Sequence, residues 1–283
     1  MSEQNNSGAV ATTNKQRVDV LKSIIAAPSV QEQFRNALAE NSGAFIASII
    51  DLYNGETSLQ SCDPKMVVME ALKAASLKLP ISKALGFSYI VPYYSKKVLT
   101  PTFQLGYKGY IQLAMRTGQY KTINADVAYE GEVRTVNKLT GEIAFDGDKK
   151  SSKVAGYFCY FELLNGFSKT LYMTAEQVKA HAQKYSKSFS SENSIWKSNF
   201  DSMALKTVIR LLLSKYGYLS IEMQDALNTD VEPADERDSK VSSIGNAKEF
   251  PAQDVKFEDV SAAGAPTPEQ PKEAKATKTK APF

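Results

Sequence analysis

Four side chains with long stems and polar heads recur every four residues in Pro101–Tyr120: Gln104, Lys108, Gln112 and Arg116. On a helix expected over Gln104–Arg116, steps of four put them on one side with heads about 6 Å apart. That spacing resembles the phosphate repeat of an extended nucleic acid strand. The chemistry on offer is therefore charge neutralisation along a polyanion, with no bond made or broken. Phe103, Tyr107, Ile111 and Ala114/Met115 form the apolar stripe by which the same helix would pack. A solvated face beside a core explains the polar row as well, from this stretch alone.

Other cations gather by element. Lys96 and Lys97 fall at a hairpin turn, Lys197 follows Trp196, and Lys206 and Arg210 stand on a late helix. Tyr93, Tyr94, Tyr107 and Tyr110 are interleaved with them. Lysine and arginine supply phosphate contacts, while aromatic rings stack on bases. A lone surface lysine is usually no more than a solvated charge, and a lone tryptophan is more often core than base platform. Lys206 and Arg210 differ because their helix is otherwise apolar. Buried cations need a matching anion, either an internal carboxylate or a phosphate.

Other chemistries find less support. Asp126, Glu130, Glu132, Asp146 and Asp148 would be the carboxylates of a metal-dependent nuclease, but their spacing is not diagnostic. One histidine, His181, argues against a His-based metal site or triad and reads as a surface residue. No GxxxxGK[ST] or GxGxxG motif is present, so nucleotide hydrolysis is not indicated. Cys62 and Cys159 belong to no CxxC or metal spacing, consistent with a reducing compartment. No apolar run reaches membrane-spanning length and the start MSEQNNSG lacks signal-peptide character, so a cytoplasmic protein is expected.

Charge and periodicity divide the chain. Residues 231–283 hold eight basic and ten acidic residues, while residues 1–230 hold 26 and 21, a mildly basic body with a weakly acidic tail. Residues 1–14 are expected to be disordered, 15–230 to form the core and 231–283 a flexible tail. Within the core, residues 15–80 read as helical: a short helix at Val18–Ala26, a capping box at Ser29/Glu32, and an Asp63-Pro64 start signal. Residues 86–225 read as sheet and helix. GFSYIVPYY and VLTPTF form one hairpin, and KVAGYFCYF and its partner form another with Asn165-Gly166 suited to a type I′ turn. A capping box at Thr174/Gln177 opens a helix to Tyr185, and an apolar helix is expected over Asn199–Tyr216. The fold class is α+β, a mainly antiparallel sheet with a central helix, flanking helices and disordered tails.

The run LGFSYIVPYYSKKVLTPTFQLGYKGYIQLAMRTGQYKTINADVAYEGE resembles the RecT family of phage and prophage recombinases. That family pairs a "VPY" strand with a "GYKG…LA.R(S/T)G" helix and a following "VYE" strand. A second patch agrees: Trp196, the Met203–Lys206–Thr207 group and the helix entering KYGYLS. The matches span roughly residues 20–225. Ala128 departs from the pattern, which often has valine there. The resemblance implies ATP-independent binding and annealing of single-stranded DNA in phage-type recombination, as in the Redβ proteins. It also implies homo-oligomers on DNA, a phage exonuclease partner, and a variable tail that contacts the host single-strand-binding protein. No cofactor is required on this reading, with magnesium only modulating annealing, and the location is the bacterial cytoplasm. The DNA-binding residues it implies are Lys96, Lys97, Gln104, Lys108, Arg116, Lys197, Lys206 and Arg210. Tyr107, Gln112 and Trp196 complete the candidate set. The rival readings are a metal-dependent DNA exonuclease and a structural or adaptor protein without a direct DNA role.

Overall fold

The computed structural model describes residues 6–95, 98–137, 139–192 and 194–230. Lys96, Lys97, residues 1–5 and the tail 231–283 lie outside them. The helical part comprises α1 (Asn6–Ala26), α2 (Pro28–Leu38), α3 (Ser42–Gly55), α4 (Thr57–Gln60) and α5 (Pro64–Ser76). Helix α1 starts at Asn6, well before Val18. No proline interrupts its growth backwards from the buried Leu21 and Ile25. Helix α2 starts at Pro28 rather than on a Ser29/Glu32 box, with proline at the first helical position, where a missing N–H costs nothing. The Asp63-Pro64 signal works as expected: the Asp63 carboxylate accepts from the Lys65 N–H at 2.9 Å.

Among the described residues seven strands form three antiparallel sheets, not one. Strands β1 (Ser88–Ser95) and β2 (Val98–Leu105) make the first hairpin. Helix α6 (Tyr107–Arg116) follows it. Strands β3 (Tyr120–Tyr129), β6 (Val154–Leu163) and β7 (Ser168–Thr174) make the three-stranded sheet, ordered β3-β6-β7. Short strands β4 (Thr135–Val136) and β5 (Ile143–Ala144) pair between them. The α+β class and the antiparallel pairing therefore hold. Asn165-Gly166 does not form a type I′ turn, because only Gly166 has positive φ, at 84°. The Gly166 N–H donates to Leu163 and the Leu163 N–H to Phe167, as in a type I turn closed by a left-handed glycine.

One face of the larger sheet presents Tyr157, Cys159 and Phe161, all buried against α9 (Phe200–Tyr216). Helices α7 (Ala175–Tyr185), α8 (Ile195–Ser198) and α10 (Ile221–Thr229) complete the set. The Thr174/Gln177 capping box opens α7 with both reciprocal bonds made. Tyr157 ties sheet to helix, its hydroxyl donating to Asp201 at 2.5 Å. Burial first, and then Asp201, pushes that phenol's pKa well up. Among the described residues no helix is long and apolar enough to cross a membrane.

Strand β2 has β1 on one side only, and its other edge is closed by carboxylates. The Phe103 N–H donates to Glu70 of α5 at 2.7 Å, and the Leu105 N–H to Asp230, just past α10, at 3.0 Å. Two helices thus satisfy backbone donors that a third strand would otherwise take. This is how the hairpin, and α6 behind it, is fixed to the body.

Candidate nucleic-acid interface

Helix α6 starts at Tyr107, three residues later than expected, because β2 pairs through Leu105 and Gly106 takes the N-cap. The two glycines of GYKG explain the join. The Gly106 N–H donates to the Phe87 carbonyl at 2.9 Å. A Cβ on Gly106 would collide with the Gly86 carbonyl, and one on Gly109 with the Phe87 carbonyl and Leu105. Only bare backbone lets the start of α6 lie this close to residues 86–87. The buried face of α6 is Gly109, Tyr110, Leu113 and Ala114; Tyr107 and Ile111 flank it half-buried, and Met115 faces out.

The polar row is accordingly shorter than the sequence suggests. Gln104 lies on β2, only 8 % exposed, and its side-chain oxygen accepts from Lys206 at 3.0 Å. Arg116 reaches the end of α5, donating to the Leu77 and Lys78 carbonyls at 2.6 and 2.7 Å. It satisfies C-terminal carbonyls as a helix cap. Lys108 and Gln112 remain. Lys108 is exposed and Gln112 half-buried, and no described residue hydrogen-bonds or ion-pairs either side chain. The Lys108 stem lies beside Gly86 and the Tyr89 hydroxyl. Burial, and then Tyr107, raises the pKa of the Tyr89 phenol. Tyr89, Tyr107 and Lys108 thus share one patch where the hairpin meets α6. The exposed Tyr94, at 81 %, stands near the far end of β1.

For Lys206 the structure supplies an internal anion. Its ammonium lies 2.8 Å from the Asp230 carboxylate, with the lysine side chain 14 % exposed and the aspartate side chain 0 %. Asp230 also accepts from the Leu105 N–H, and from the Tyr110 hydroxyl at 2.7 Å. Burial first, and then Asp230, drives the Tyr110 phenol's pKa far up, opposed by Arg210. Arg210 donates to the Leu227 carbonyl at 3.3 Å. Two buried nitrogens here, Gln104 Nε2 and Arg210 Nε, have no partner among the described residues. His181 is half-buried, packs its ring against Tyr185 at 4.6 Å with the planes tilted by 44°, and has its pKa lowered by burial and then by Arg210 and Lys184. Burial replaces the surface position expected for it.

Trp196 is core, as one of its two readings has it. It is 6 % exposed, donates from its indole N–H to Ser186 at 3.1 Å, and meets Phe189 and Phe200 edge-on. Lys197 beside it is exposed. The five carboxylates do not converge. Glu130 pairs with Lys153 and Ser151, Asp146 with Arg134, and Glu132 accepts from the Tyr129 N–H. Among the described residues no group of three or more His, Cys, Asp or Glu is placed to hold a metal ion.

Sequence reasoning missed Asp230 and Tyr89. The signal for Asp230 was the demand of two cations on an apolar helix for an anion. Nothing local pointed to that residue, which looked like the end of periodic sequence.

A model of the RecT family matches residues 43–244. The chain is 50 % identical over 214 residues to uncharacterized protein YqaK of Bacillus subtilis (strain 168), covering 75 % of this chain and 72 % of that protein. It is 30 % identical over 267 residues to protein RecT of Escherichia coli (strain K12), covering 87 % of this chain and 94 % of that protein.

Proposed function

The chain belongs to the RecT family, and from that premise we propose that it binds single-stranded DNA and anneals complementary strands without ATP. Contact with the strand runs along the patch of Tyr107, Lys108 and Gln112 at the foot of the β1–β2 hairpin; Lys96 and Lys97, which lie outside the described residues, are further proposed contacts. One observation supports this placement. The interior holds Lys206 and a backbone cap holds Arg116, whereas Lys108 and Gln112 have no described partner. An ammonium free to meet a phosphate releases counterions when it does so, and that release drives binding without reading sequence. Reading is left to base pairing. Neutralised phosphates let two like-charged strands approach, and a correct duplex stacks and stays.

On this reading, protomers assemble along the strand into a homo-oligomer. A phage exonuclease supplies the single strand, and the tail contacts the host single-strand-binding protein. No cofactor is required and magnesium modulates annealing.

The test of the site is oligonucleotide binding across a salt series. Lys108→Ala is expected to weaken binding to all sequences alike and to reduce the slope of log K against log salt by roughly 0.7, one phosphate contact on a single strand. Its melting temperature should stay unchanged, since the side chain is exposed. A wild-type slope in a folded Lys108→Ala variant would remove this patch from the interface. Absence of any salt-sensitive binding by the parent protein would leave the adaptor reading standing.

A further inference from the structure

A second surface lies at the start of α9. Phe189, Trp196 and Phe200 floor a cleft of about 550 Å³, and Lys179, Lys197 and Glu176 stand at its rim. The cleft is aromatic and its polar groups are confined to the rim. Trp196 is locked in place, its ring edge-on to Phe189 at 5.8 Å and to Phe200 at 5.6 Å, with its N–H already given to Ser186. Ile195, next to Trp196 in α8, is 41 % exposed.

The rim is biased towards anions. Lys179 and Lys197 are exposed, and no described residue pairs with either. Glu176, exposed as well, is the one carboxylate of the rim; its pKa is lowered by the backbone N–H and the Thr174 hydroxyl of the first turn of α7 and then by Lys153, so it stays ionised and the three rim charges sum to one positive. What remains is an apolar slot beside two unpaired ammonium groups.

We propose that this cleft docks an acidic peptide segment of a partner protein. One large apolar side chain enters between Phe189 and Phe200, and flanking carboxylates meet Lys179 and Lys197. A buried apolar anchor within a charged rim is the usual division of labour at a peptide site. A nucleobase fits less well. Apart from the three charged rim groups, the cleft wall offers no side-chain donor or acceptor to a base edge, and burying that edge unpaired is costly. The tryptophan faces are also poorly placed to stack, since neighbouring rings pack against the indole. Trp196 and Lys197 belong to the candidate DNA-binding set, but the strand contact proposed above, at Lys108 and the foot of the hairpin, has no part in this cleft.

The protein carries its own probe, since Trp196 is its single tryptophan. The full chain is titrated with the blocked peptide Ac-Glu-Asp-Phe-Glu-Asp-NH2 at low salt while indole emission is followed. A saturable change is expected, complete below about 1 mM. It should weaken at least about fivefold in the Lys179→Glu/Lys197→Glu double variant, where attraction becomes repulsion. Replacing the peptide's phenylalanine by serine should abolish it. Both lysines are exposed, so an unchanged melting temperature separates lost docking from lost fold. A flat titration, or a response indifferent to the two lysine substitutions, overturns the proposal. So does a response to oligo(dT), lost in the double variant, with none to the peptide; the cleft would then be a nucleic-acid site.

Discussion

Asp230→Ala is expected to lose about 5 kcal/mol of stability and Lys206→Ala about 3 kcal/mol, the range for breaking one side of a buried ion pair. The asymmetry follows from the count of partners. Removing the lysine leaves the Asp230 carboxylate with the Leu105 N–H and the Tyr110 hydroxyl still donating. Removing the aspartate strands an ammonium with only Gln104 to accept from it, and leaves the Tyr110 hydroxyl and a β2 N–H unpaired in the interior. Losses of this size are a large share of the total stability of a domain. Urea unfolding read by circular dichroism measures both. The Lys206→Met/Asp230→Leu pair should recover part of the loss, since apolar replacement of both charges removes the burial penalty. A Lys206→Ala variant as stable as the parent, but with a smaller salt slope for DNA, would put this lysine in the groove after all.

Gly109→Ala carries the other large effect, and its sign is diagnostic. In an open helix position, alanine for glycine gains about 0.5–1 kcal/mol. At Gly109 the new methyl meets the Phe87 carbonyl and the Leu105 side chain, and one of these is backbone that cannot swing away. The strain should outweigh the gain and leave a net loss of about 2–3 kcal/mol. Gly43 in α3 is the control, since a methyl there would meet no atom beyond its own helical turn within 4 Å, and Gly43→Ala should be neutral or stabilising. Thermal melting of the two variants in opposite directions is the expected result. A Gly109→Ala protein that melts at or above the parent would mean that the GYKG glycines do not set the approach of α6 to residues 86–87.

Much of this architecture is legible in the sequence because it rests on local signals. Asp63-Pro64 caps α5, Thr174 and Gln177 close a box on α7, and Asn199 caps α9 where the apolar helix was expected to begin. Alternation in β6 sorts Tyr157, Cys159 and Phe161 inward. Features that depend on contacts distant in sequence are not legible. Gln104 matches the helical row by spacing, yet strand pairing to β1 claims it first. Arg116 and Lys206 look like free cations until carbonyls 38 and 39 residues away and a carboxylate 24 residues away are brought to them. The basic positions were visible one by one, but their division into interior and surface was not. That division leaves Lys108 and Gln112 as the centre of the proposed contact.

An annealing protein of this kind aligns strands and makes no bonds, so its effect must appear in the rate of pairing with no nucleotide present. The direct measurement mixes two complementary labelled oligonucleotides with the full chain, without ATP. Strand pairing and protein-bound DNA are followed together across salt and magnesium. Pairing is expected to be faster with protein than without it, and slower in Lys108→Ala in proportion to its lost binding. Protein that stays bound to both strands yet never speeds their pairing, at any salt or magnesium concentration, would contradict that expectation.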